Sequence, residues 1–347
     1  MNRERLGYRP QLDGIRGIAV SSVLGYHLFG FPRNGGLFGV SHFFVLSGFL
    51  ITTLLLEELE STGTISLKRF FMRRALRLLP LAYTATVLIS AVSILSGADS
   101  TYYLRSAIVS ILYIGNYFGL IFRQSGDLAP ALSHFWTLAV EEQFYLLWPV
   151  LLLIVIHYSK IQARTIFGVT ILGIGIGIGI RAALLLLGKD VWAFTISHLD
   201  ALLLGALLSQ IRFKYPRMVT NLSKYCRTGV LLVLLAINCA SSRFDAEAQL
   251  GLRYTMVAVL GVIMLLVADG NQVSPTLTFA PLVRIGKISY GLYILHWPIF
   301  LVIEEIMPST GWLLRSSMAL IFTIICSEVS FRWFESRFLG LKQNYRV

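Results

Sequence analysis

Three ionisable residues, Asp13, Arg16 and His27, stand in a run from Asp13 to Gly30 that is otherwise apolar or small enough to enter a bilayer. On insertion scales such groups cost about 2.5–3.5 kcal/mol each inside a span, which makes them candidates for function. Arg16 and His27 are eleven positions apart. On a helix they share nearly one face, roughly 16 Å apart along the axis. An imidazole there can take a proton from a hydroxyl and return it to a thiolate leaving group. It can also act as a nucleophile, or simply be a hydrogen-bonded packing residue at a span end. Asp13, one turn before Arg16, is a ready partner for the guanidinium.

Three further clusters carry potential chemistry. The stretch Ser66–Pro80 holds Lys68, Arg69, Arg73, Arg74 and Arg77. Ser66 suits a helix N-cap, and Pro80 marks a break or the start of the next span. The stretch reads as an interfacial helix on anionic lipid, or as a phosphate clamp formed by Arg74 and Arg77 on one face. Glu141 and Glu142 are adjacent in an apolar segment and point about 100° apart. They either pair with arginines of neighbouring spans, or one of them orients His27 or the acceptor hydroxyls, and they are expected at the same end as His27. His296 precedes the helix-breaking Pro298. It is expected to bond the carbonyl freed by that proline, or to line a sugar-binding cavity with Tyr290, Tyr293 and Trp297. Arg332 and Glu335 read as a surface ion pair. His134, His157 and His198 sit at span ends and receive no role, and His42 reads as packing. Alternate glycines from Gly173 to Gly179 give small-x-x-x-small spacing, the mark of close helix packing.

The elements that must position these residues are membrane helices. The chain of 347 residues is 56% hydrophobic and 14% charged, with a mean hydropathy of +0.71. That is the composition of a polytopic membrane protein. The net charge of +12 fits cytoplasmic loops facing anionic lipid, not nucleic acid. Cys226, Cys239 and Cys326 show no metal-ligand spacing, and no metal or permanently bound cofactor is expected. The first apolar run lacks a cleavage site and reads as a retained span.

The fold expected is all-α with about ten transmembrane helices: 13–31, 38–57, 79–96, 135–157, 165–187, 194–211, 228–242, 251–268, 286–305 and 311–334. Segment 104–122 is expected to be re-entrant or surface-lying. That choice places the basic loops 57–78 and 212–227 and both termini in the cytoplasm, as the positive-inside rule requires. Residues 1–347 read as a single membrane domain in the cell (inner) membrane, with no appended soluble domain.

Taken together, these motifs resemble acyltransferase family 3, the bacterial membrane O-acyltransferases of surface polysaccharides and related acceptors. The matching stretches run from Leu12–Val20 with Tyr26-His27, through Phe43–Ile51, Ile65–Pro80 and Val140–Pro149, to Ile288–Tyr293 with His296-Trp297-Pro298. The resemblance implies an acyl-CoA co-substrate, most simply acetyl-CoA, and a required His27 with Arg16. It also implies functional roles for Arg74, Arg77 and the Glu141/Glu142 pair. Family members often carry Glu-x-Pro near the C-terminus, whereas this chain reads Glu335-Ser336-Arg337.

The joint expectation is acyl transfer to a hydroxyl of a cell-surface carbohydrate or its lipid-linked precursor, with His27, Glu141 and Glu142 catalytic. Arg16, Arg74 and Arg77 would hold the donor. Asp13, His296, Trp297 and Tyr290 would contact substrate. The alternatives are acylation of a small molecule such as a macrolide, or a membrane carrier of acyl groups or glycans without chemistry of its own. Acyl-CoA, a glycan acceptor and the lipid bilayer are the partners expected.

Overall fold

The computed structural model describes residues 6–33, 35–122, 128–158, 162–188, 191, 194–226, 247–269 and 274–345, and every regular element among them is helical. The expected span 228–242 lies outside the described residues. Helix α1 (Pro10–Phe29) begins on a proline in its first turn and ends at Gly30, whose φ of 67° supplies the left-handed C-cap. Helix α2 (Gly35–Thr62) runs through the middle of the molecule with Phe44, Val45, Phe49, Ile51 and Leu55 almost wholly buried.

Helix α3 (Leu67–Leu95) opens on the expected cap, with the Ser66 side chain accepting from the Arg69 amide. It does not break at Pro80; the basic stretch and the following apolar span are one continuous helix. Within a packed membrane bundle, neighbouring side chains can satisfy backbone groups that a proline disturbs. Two residues before the proline, the Tyr290 hydroxyl donates to the Leu78 carbonyl at 2.7 Å and ties this turn to α12.

Segment 104–122 is not one helix. It divides into α4 (Ser100–Ile111), a 3-10 turn at Gly115–Tyr117 and the short α5 (Phe118–Phe122). Twelve residues of α4 span only about 18 Å, short of a ~30 Å hydrocarbon core. Gln143 fastens the turn to the bundle by donating to the Tyr113 carbonyl and to Asn116.

Gln143 belongs to α6 (Trp136–Tyr158), followed by α7 (Gln162–Leu186), α8 (Leu199–Lys214) and the surface helix α9 (Pro216–Tyr225). Then come α10 (Glu247–Asp269), α11 (Ala280–Lys287) and α12 (Ser289–Ile306). The expected span 286–305 is therefore a bent pair: α11 and α12 meet at Ile288 at 71°.

Helix α13 (Trp312–Ser330) passes through a π-turn at Phe331–Glu335 into α14 (Ser336–Leu341). That turn undoes the expected Arg332–Glu335 pair. Glu335 rotates inward and accepts from Ser330, while Arg332 pairs with Glu328, which also binds Arg284.

Glycines set the tightest contacts. A Cβ on Gly48 of α2 would lie 1.8 Å from the Leu202 carbonyl oxygen, and one on Gly205 of α8 would lie 1.9 Å from that of Val45. In the run Gly173–Gly179 only Gly173 and Gly177 face α8, and Gly175 and Gly179 meet nothing. Between α7, α8 and α10, the buried Arg181 binds both carboxylate oxygens of Asp200, at 2.9 and 2.7 Å, and Thr255 bonds the same carboxylate.

Among the described residues, five helical segments are long and apolar enough to cross a membrane, and the bent α11–α12 pair makes a sixth.

Candidate active site

Three chambers follow one another through the bundle. The first, about 840 Å³, is lined by Arg9, Asp13, Arg16, Arg73, Arg74, Arg77 and Lys342, with Glu57 and Glu58 among the walls. Several of its charges are already paired. Arg16 binds Asp13 at 2.6 Å, as the sequence suggested. Arg73 is held by Glu58 at 3.2 Å and by the Tyr345 carbonyl, and Arg9 by Asp269. Arg74 lies 4.4 Å over the Tyr145 ring. Arg77 and Lys342 have no carboxylate partner among the described residues. The chamber is thus built with surplus positive charge. Burial, and then the charges of Arg77, Arg74, Arg73 and Arg16, push the Lys342 ammonium down to about 7.

The second chamber is a narrow passage of about 80 Å³ that shares Arg16, Leu50, Arg74 and Arg77 with the first. Glu141 stands in this passage. It accepts from Ser47 at 2.8 Å and lies 3.3 Å from the Tyr145 hydroxyl, which itself donates to Ser47 at 2.7 Å. Tyr290 lines the same passage.

The third chamber, about 320 Å³, is lined by Tyr26, His27, His134, Trp136 and Trp297. It shares Val40, Thr137 and Tyr293 with the passage. A hydrogen bond between Thr137 and the Tyr293 hydroxyl, 2.6 Å, stands at the boundary. His27 Nδ1 is 2.9 Å from His296 Nε2, and the two ring planes differ by only 10°. Trp297 lies 5.4 Å from the His27 ring and is anchored by its indole N–H on the Pro130 carbonyl at 3.0 Å.

The structure therefore brings Arg16, Arg74 and Arg77 together and sets His27 with Trp297 two chambers away. Three expectations are corrected. Glu141 is not at the His27 end: one turn along α6 from Thr137, it projects back among Arg74 and Arg77. Glu142 is partly buried and lines none of the three chambers. His296 is fully buried behind His27 and lines none of them either, which removes it from the substrate-facing wall. Nor does His296 take up the carbonyl that Pro298 frees. That acceptor is Ile294, bonded by His134 Nε2 at 3.0 Å. His134, given no role from sequence, thus sits beside His296, with ring centroids 5.3 Å apart. No local pattern signals this, because the two are brought together only by the packing of the 3-10 turn Pro130–Phe135 against α12. Lys342 was likewise missed, since a tail lysine has no signature. Among the described residues no group of three His, Cys, Asp or Glu could hold a metal, the histidine trio included.

The sequence profile described as Acyltransferase domain, that of acyltransferase family 3, matches residues 9–330. The chain belongs to acyltransferase family 3. Its similarity to a peptidoglycan O-acetyltransferase of Listeria monocytogenes is 31% identity over 95% of this chain and 55% of that protein. An O-acetyltransferase of Staphylococcus aureus strain NCTC 8325 is 30% identical over 95% of this chain and 57% of its own length. A putative O-acetyltransferase of strain MSSA476 is 29% identical over 96% and 58%. This acyltransferase family 3 chain thus spans somewhat more than half the length of these relatives. No solved structure matches it.

Proposed function

We propose that this chain is a membrane O-acyltransferase that moves an acyl group, most simply acetyl, from acyl-CoA to a carbohydrate hydroxyl. The observation that carries this reading is the succession of chambers, from unpaired cations to a histidine. Arg74, Arg77 and Lys342 supply charge-assisted donors for phosphates. A slender pantetheine arm suits a passage too narrow for a nucleotide. His27 lies about 16 Å from Arg16 along α1, a reach such an arm can cover. The relatives' printed names favour a cell-surface polysaccharide as acceptor.

In the transfer, His27 takes the proton from the acceptor hydroxyl while its oxygen bonds the thioester carbon. The carbon–sulfur bond then breaks, and the proton passes from His27 to the leaving thiolate, releasing CoA as the thiol. Binding the phosphates at the basic end places that end in the cytoplasm, where acyl-CoA is made. With ten spans and both termini cytoplasmic, the His27 chamber opens toward the opposite face.

The test is to incubate detergent-purified protein with acetyl-CoA labelled in the acetyl group and with envelope glycans, and to follow both label and free CoA. Label on glycan with the wild type, lost in His27→Ala while the protein stays monodisperse, is the expected result. Label retained on the protein would replace direct transfer by an acyl-enzyme. Absence of CoA release would reject the donor.

A further inference from the structure

His296 is the residue that fixes which nitrogen of His27 can act. Its Nδ1 lies 2.7 Å from the Tyr293 carbonyl oxygen. A carbonyl has no proton to give, so Nδ1 of His296 must carry the hydrogen. The ring is fully buried, with 0% of its surface exposed. No carboxylate contacts it among the described residues, so a cation there would be unpaired in an apolar setting. A neutral ring with a protonated Nδ1 leaves Nε2 bare. That bare nitrogen is the atom 2.9 Å from His27 Nδ1. His27 Nδ1 must then be the donor, and in a neutral ring its Nε2 keeps the lone pair.

We propose that His296 is a positioning residue for His27: it accepts from Nδ1, locks the ring in one tautomer and leaves Nε2 as the base. The inference rests on the acyl-transfer reading for its kinetic consequence, not for its geometry. The anchoring is layered. Tyr293, which orients His296, also bonds Thr137 at the edge of the passage, and His134 bonds the carbonyl that Pro298 leaves without its helical partner. The His296 ring on α12 is thus held by a backbone acceptor instead of a carboxylate, and it in turn holds the His27 ring on α1. When Nε2 takes the acceptor's proton, the Nδ1 hydrogen stays on His27, hydrogen-bonded to His296, so no second proton moves. The positive charge that forms rests on His27, and the departing thiolate removes it.

Two substitutions separate this role from mere packing. His296→Leu fills the space without an acceptor, whereas His296→Gln offers an amide oxygen near the position of Nε2. With the leucine variant kcat should fall roughly 10- to 100-fold, the usual cost of losing a second-layer partner of a functional histidine. The KM for acetyl-CoA should not change, because the cations lie two chambers away. The glutamine variant should recover most of kcat. Nitrogen NMR of histidine-labelled protein, with His27→Ala to assign the signal, should show a protonated Nδ1 and a bare Nε2 on His27. In the leucine variant the two tautomers should mix. Wild-type kcat with leucine, equal loss with leucine and glutamine, or a protonated Nε2 in the wild type would each overturn the inference. If the wild type transfers no acetyl group at all, the proposed function fails, and the NMR measurement still decides the tautomer.

Discussion

Arg77 and Lys342 divide the work that a chain of this composition spreads over thirty basic residues. Most of the surrounding cations are spoken for: Arg16 by Asp13, Arg73 by Glu58, Arg9 by Asp269. Among the described residues Arg77 has no carboxylate partner, and it faces both the basic chamber and the passage. Arg77→Met should raise the KM for acetyl-CoA by 10-fold or more, since a charge-assisted hydrogen bond is worth about 1.5–3 kcal/mol. Steady-state kinetics in detergent would show it, and an unchanged KM would remove Arg77 from the donor site. Lys342 gives a pH signature. Burial among like charges brings its ammonium to about 7. Below that pH it is charged and adds to the attraction for phosphate; as pH rises through about 7 the free protein loses that charge. The KM for acetyl-CoA should therefore climb from pH 6 to pH 8, and Lys342→Met should flatten the climb. A wild-type slope that survives the substitution would assign it elsewhere.

Helix contacts carry the stability of this arrangement. The α2–α8 crossing brings backbones together at Gly48 and Gly205, where a Cβ would fall within 2 Å of a carbonyl oxygen. Gly205→Ala should destabilise the bundle by about 1–3 kcal/mol through overpacking. A thermal scan of detergent-solubilised protein would register it as a lower midpoint. At Gly175, where nothing lies nearby, alanine should leave that midpoint unchanged. The Arg181–Asp200 pair, 1% exposed on both sides, holds α7 to α8. Asp200→Ala strands a buried guanidinium and should cost about 3–5 kcal/mol. The double change Arg181→Met with Asp200→Leu should recover most of it, and failure to do so would point to the Thr255 hydroxyl and the Ser197 carbonyl, both of which also bond Arg181, as the real need.

Across the whole molecule the chambers follow one another from the start of α1 to its end, and the tail carrying Lys342 lines the basic one. A cytoplasmic basic end requires the α8–α9 junction, rich in Arg212, Lys214 and Arg217, to face the same side. Single cysteines at positions 217 and 345 in a cysteine-free background should be labelled only from the cytoplasm, and one at position 99 only from outside. Labelling of 217 and 345 from opposite sides would undo the even count of spans between them.

Much of this was legible from order and type alone. Apolar runs interrupted by Asp13, Arg16 and His27 fixed a membrane protein with charges worth keeping, because an ionisable group in hydrocarbon is too costly to be incidental. Helical periodicity placed Arg74 and Arg77 on one face, and Asp13 with Arg16, since neighbours three apart on a helix meet. The aim of a side chain across the bundle was not legible. Adjacent Glu141 and Glu142 could not declare which one faces the cations, nor could Pro298 declare whose ring takes its freed carbonyl. Those depend on how α6 and α12 are rotated within the bundle, which contacts distant in sequence set. The His27–His296 contact joins residues 269 positions apart. Local sequence governs which helices form, and only packing decides which histidine stands behind which.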